Sequence, residues 1–305
     1  MTLPFHCPIQ PQEHLLGWLS RIHLLFGHIY VGHSLEYLNV ANKPFKANHH
    51  NESFADAINF YKREVSDDTS GFDEHSSLAI WALSYGHDFY SDWRLNGKKR
   101  LRPAYLKGFY AFETNWKYCS ECVKEDIARC GHSYWHVEHQ LPSITHCSKH
   151  KTPLIEDTLI LKDLRNGLLP QAYDLKPMEL EDNQALLDWS EFVVGVYRLL
   201  KRFPTAGAEL AAQIRWILSL PQELTRKDDE LFFPLQNDFD ASIGPAVLRH
   251  LFFTYRESDN RTFNVLQSTL GYKYMGSKYG YCAHPVCWLI ILYWLKGEIS
   301  WGKYQ

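Results

Sequence analysis

Cys119-Ser120-Glu121-Cys122 and, further along, Cys147-Ser148-Lys149-His150 are the two stretches on which the reading of this chain turns. Together they spell C-x2-C-x24-C-x2-H. Two residues between ligands let one turn of chain present both side chains to a single tetrahedral ion. Thiolate and imidazole are donors that zinc prefers. Four protein donors fill such a coordination sphere and leave no open position for water or substrate. The expectation is therefore one structural Zn2+ held by Cys119, Cys122, Cys147 and His150, with metal binding contributing to folding. A rival arrangement lies between the two pairs. His132, His136 and His139 stand at i, i+4 and i+7, which on a helix would make a three-histidine face for a hydrolytic zinc. No H-E-x-x-H pattern accompanies them, and packing within the loop is the plainer reading.

Outward from this segment, the chain of 305 residues is long for a single core. Apolar residues make up 45% and aromatics 15%, enough for sizeable cores throughout. The net charge of −3 gives no general attraction to nucleic acid, so any such contact must come from a local patch. Met1 to Pro11 carries no Lys or Arg and no long apolar run, so it does not read as an export signal. With that, seven cysteines suggest a reduced cytoplasmic setting, where paired cysteines hold metal more often than they form disulfides. The longest apolar stretch, Val286 to Leu295, is too short to span a bilayer and reads as a buried helix.

Apolar spacing predicts helices over Gln12 to Phe26, stopped by Gly27; over Leu35 to Leu38, with Ser34 as its cap; over Ser53 to Glu64; and over Ser76 to Tyr85. Short helices with tight links resemble a helix-turn-helix bundle. Phe89 to Gly108 follows, with Arg94, Lys98, Lys99, Arg100, Arg102 and Lys107 against a single acid, Asp92. These cations are candidates to neutralise phosphates, while Tyr90, Trp93 and Tyr105, interleaved among them, are alternative anchors for a protein partner. Residues 155–182 read as a linker or a pair of short strands. Further helices are expected over Ala185 to Phe203, Glu209 to Leu220, Pro245 to Arg256, Phe263 to Leu270 and Pro285 to Lys296. The fold class is mainly α and multi-domain: an N-terminal helix-turn-helix-like domain at 1–108, a central zinc-knuckle domain at 109–156 and a C-terminal helical domain at 157–305.

The central segment also resembles a known family. Cys119 and Cys122, Asp126, Gly131, Tyr134-Trp135, Leu141-Pro142, Cys147 and His150, and Pro153-Leu154 follow the order of the zinc-binding segment in the TniQ/TnsD family. Pro8, Glu13, Leu16, Trp18-Leu19 and Arg21 are similar to the start of that family's first helix. The chain departs from it at Ser120, where proline is usual, and at His136, where arginine is frequent; neither is a ligand. The resemblance implies a non-catalytic, nucleoid-associated target-selection protein of a Tn7-like bacterial transposon. Such a protein binds attachment-site DNA and recruits the AAA+ ATPase TnsC. It implies as an alternative an adaptor that links an RNA-guided CRISPR complex to the transposition machinery without reading DNA itself.

Overall fold

A computed structural model describes residues 6–47, 52–65, 74–84, 115–157, 159–166, 168–177, 179–180, 183–221, 230–252, 265–270 and 284–302. These residues are mainly helical, with one sheet of two short strands. They gather into two compact units. The first holds the described residues up to Leu78 and from 115 to 180; the second holds 79–84 and those from 183 onward. No helix among the described residues is long and apolar enough to cross a membrane.

In the first unit, helix α1 (Leu15–Phe26) buries Leu15, Leu16, Trp18, Leu19 and Ile22 and ends at Gly27, whose φ of 65° closes the last turn. The helix begins later than the expected Gln12 because Glu13 is held in an antiparallel bridge with His136. In that bridge the His14 N–H donates to Trp135 O at 2.7 Å and the Val137 N–H to Gln12 O at 2.8 Å. Helix α2 (Val31–Leu38) starts before Ser34, which is therefore not its cap. The Ser34 hydroxyl instead lies 2.8 Å from His23 Nδ1 and 2.9 Å from His28 Nδ1, tying the two helices together. Helix α3 (Glu52–Glu64) lays Phe54, Ile58 and Tyr61 against this core. Among the described residues the expected helix from Ser76 is a 3-10 turn, Leu78–Trp81, leading into α-helix at 82–84.

Strands β1 (Lys117–Tyr118) and β2 (Ile155–Glu156) pair antiparallel, Lys117 opposite Glu156. Gln140 completes the outer side of β1. Its amide oxygen accepts the Lys117 N–H at 2.9 Å and its amide nitrogen donates to Lys117 O at 2.8 Å. Helix α4 (Ser120–Cys130), which apolar spacing does not announce, runs from β1 to Gly131, where φ is 80°. Trp116, Trp135 and His14 meet edge to face, with centroids 5.6 Å and 4.8 Å apart, and join α1 to the segment around the cysteines.

The second unit is helical. Helices α5 (Asn183–Arg202), α6 (Ala206–Ile217), α7 (Phe232–Ile243), α8 (Pro245–Leu251), α9 (Val265–Leu270) and α10 (Pro285–Trp294) follow one another. Pro285 opens α10, whose Val286, Leu289, Ile290, Ile291 and Leu292 are buried as expected of that apolar run. Helix α7 has no counterpart in the sequence reading, because Pro234 and the polar Gln236, Asn237 and Asp238 break its pattern.

Candidate metal centre

Cys119 is the residue that caps α4, and Cys122 sits in the first turn of that helix. Both sulfurs therefore stand at the positive end of the helix, which favours thiolates. Cys147 and His150 come from a hairpin. The Cys147 N–H donates to Thr152 O at 3.0 Å, the Lys151 N–H returns to Cys147 O at 2.9 Å, and Lys151 takes a left-handed φ of 59° to close the turn. The sheet brings the two pieces together, since β1 leads directly into Cys119 and β2 follows the hairpin.

The four ligand atoms all lie within 4.8 Å of one another. Cys122 Sγ is 3.7 Å from Cys147 Sγ. His150 Nδ1 lies 3.5 Å from Cys119 Sγ, 3.4 Å from Cys122 Sγ and 3.7 Å from Cys147 Sγ. A tetrahedral ion with bonds of about 2.3 Å to sulfur and about 2.0 Å to nitrogen sets sulfur–sulfur edges of about 3.8 Å and sulfur–nitrogen edges of about 3.5 Å. The four separations given match those edges and the other two stay within 4.8 Å, so the donors fit a metal ion, and their type and spacing are consistent with a zinc knuckle. Without a cation the thiols oppose one another. Set beside Cys122 and Cys147, the Cys119 thiol is held far below its ordinary pKa. The Cys119 thiolate in turn pushes Cys122 and Cys147 up. Only a positive centre lets all three ionise side by side.

A second layer surrounds the donors, and the sequence reading had not singled it out. Thr152 Oγ1 is 3.4 Å from Cys119 Sγ. His139 Nε2 is 3.7 Å from Cys122 Sγ, and burial, followed by His136, pushes His139 down to about 3, so its ring is neutral. Glu125, three residues after Cys122 on α4, places Oε1 at 3.2 Å from His150 Nε2 and joins Lys149 through its other oxygen. Glu125 would have been legible as a partner had α4 been recognised as a helix.

The alternative histidine face does not form. Residues 131–137 are not helical, and Glu138–Gln140 is a 3-10 turn. His132 Nδ1 lies against Cys130 O at 3.0 Å, His136 Nε2 donates to Asp126 Oδ2 at 2.8 Å, and His139 faces the Cys122 sulfur. Among the described residues the Cys119, Cys122, Cys147 and His150 group is the one set of at least three such side chains placed to hold a metal. Arg94, Lys98, Lys99, Arg100, Arg102 and Lys107, expected as phosphate contacts, lie outside the described residues, as do Tyr90, Trp93 and Tyr105.

Comparison with known proteins agrees with the geometry. The TniQ family model matches residues 4–154, from just before the α1 bridge to the end of the second ligand pair. No curated protein matches the chain. The matched span contains α1 to α4, strand β1 and all four metal donors, and by it the chain belongs to the TniQ family, a family associated with Tn7-like transposition.

Proposed function

We propose that this chain selects the insertion target of a Tn7-like transposon, binding attachment-site DNA and recruiting the AAA+ regulator TnsC, with one structural zinc ion holding its TniQ domain together. The TniQ match over residues 4–154 carries this reading. The donor set supports zinc, because three thiolates and one imidazole at tetrahedral spacing suit that ion. Four protein donors leave no coordination position for a substrate, which supports a structural metal and a protein without catalytic activity of its own. When bound, the ion supplies only a fixed positive centre around which the α4 end and the Cys147 hairpin are held.

DNA contact rests on Arg94, Lys98, Lys99, Arg100, Arg102 and Lys107, where cations can neutralise phosphates. The second reading, a protein adaptor to an RNA-guided complex, is favoured by the net charge of −3 and by the α1–α2 elbow. There Leu25, Ile29 and Tyr30 are exposed, and Ile22 to Leu35 contains no Lys, Arg, Asp or Glu. Selection of genomic DNA fragments by the zinc-loaded chain at physiological salt separates the two. Enrichment of one discrete sequence supports direct reading, and neutralising Lys98, Lys99 and Arg100 together should then lower affinity and flatten its salt dependence by about three counterions. Recovery of no preferred sequence supports the adaptor.

A further inference from the structure

We propose that Glu125 is a positioning residue of the metal centre, holding His150 in the tautomer and orientation in which Nδ1 faces the three sulfurs. The proposal rests on the reading of the cluster as a metal site. An imidazole can offer a lone pair to a cation through one nitrogen only while the proton sits on the other. His150 turns Nδ1 toward Cys119, Cys122 and Cys147, so the proton must be on Nε2. Glu125 Oε1 is the group that meets Nε2, at 3.2 Å. A carboxylate can only accept there, which selects the required tautomer and makes the imidazole a stronger donor.

The placement of Glu125 gives it a second effect. It belongs to α4, the helix that carries Cys119 and Cys122, whereas His150 and Lys149 belong to the hairpin that carries Cys147. Its two oxygens therefore reach across the ligand set, one to His150 and one to Lys149. Glu125 thus joins the half of the site on the helix to the half on the hairpin through contacts other than the four donors. His150 is the most exposed of the four ligands. An outer carboxylate has most to contribute at such a ligand.

The test uses the full chain and its Glu125→Ala, Glu125→Gln and Lys149→Ala variants. Zinc affinity is measured by competition with a chromophoric chelator. The cobalt(II)-substituted protein gives the ligand-field spectrum, and histidine nitrogen chemical shifts give the His150 tautomer. Glu125→Ala should weaken zinc binding by about 10- to 100-fold and change both spectra. Glu125→Gln, whose amide oxygen still accepts from Nε2, should lose less and keep the tautomer. Lys149→Ala, which removes one Glu125 contact but leaves the carboxylate to meet His150, should lose less than Glu125→Ala and keep the His150 tautomer. Circular dichroism at saturating zinc controls for folding. A wild-type chain that binds one equivalent of zinc, with Glu125→Ala matching it in affinity and spectra, would overturn the positioning role alone. A wild-type chain that binds none, or a Cys147→Ser variant with unchanged affinity, would overturn the metal reading and this proposal with it.

Discussion

His14 shows how much one side chain can commit a fold to a charge state. It caps α1 by accepting the Leu16 N–H on Nδ1 at 3.2 Å, and its ring is buried edge-on to Trp116. Burial, followed by nearby His75, pushes its pKa from 6.5 down to about 3. Between those two values the unfolded chain binds a proton that the folded chain refuses. Stability therefore rises with pH through this window and is lost on acidification, at about 1.4 kcal/mol per pH unit. His14→Asn keeps a capping side chain and removes the titration. Urea unfolding of the zinc-loaded chain should show wild type losing about 2 kcal/mol more than the variant between pH 6.5 and pH 5. Equal losses would mean that His14 takes up its proton in the folded state as well. The neighbouring Glu13 and Arg21 follow a different rule. Arg21 donates to both Glu13 oxygens, at 2.9 Å and 2.6 Å, and to Pro8 O at 2.6 Å. Burial opposes the Arg21 charge, but Glu13 outweighs it and raises the guanidinium pKa; burial also raises the Glu13 carboxyl above its ordinary value, with Arg21 opposing it, and the two-bond contact fixes the segment that bridges to His136.

Elements differ in how openly their residues announce them. Helices α1, α5 and α6 were legible because an apolar stripe at helical spacing meets a clear boundary, Gly27, Pro204 or Pro221; α3 was legible from its stripe alone, and α10 from an apolar run that opens at Pro285. The four ligands were legible for another reason, since two pairs with matched spacing recur rarely by accident. Helix α4 was not, because it buries only Cys122 and Asp126, so there is no stripe to see. It is held by its ends and its ligands instead. The start of α2 was misread because Ser34 looks like a cap, and its hydroxyl is in fact engaged by two histidines from the preceding helix and turn. Close packing between elements is equally invisible in a single sequence. A Cβ at Gly17 would lie 2.8 Å from the Trp135 Cβ, closer than two side chains can approach. Gly17→Ala must therefore push α1 off Trp135, although alanine is the better helix former. The expected cost is about 1–3 kcal/mol, read as a lower thermal midpoint of the zinc-loaded protein. A stabilised variant would show that the helix shifts freely at this contact.

At the scale of the whole molecule, the first unit has one continuous set of supports. The chain of contacts runs from the ligands along α4 to Asp126, from Asp126 to His136, across the bridge to Glu13, and through Arg21 into α1. Removing the metal should therefore loosen α1 along with the cysteine hairpin. Hydrogen exchange before and after chelation checks this: amides of α1 and α4 should lose protection together, while those of α5 and α10, which belong to the other unit, keep theirs. Retained protection in α1 after complete metal loss would mean that the helices stand without the knuckle. The Gln140 amide bears on how such a protein behaves at high concentration. A two-stranded sheet offers bare peptide groups along its sides, and those invite strands from other molecules to add on. By taking both the N–H and the C=O of Lys117, one side chain imitates a neighbouring strand that can never be extended, and it closes that side of the sheet to templated aggregation.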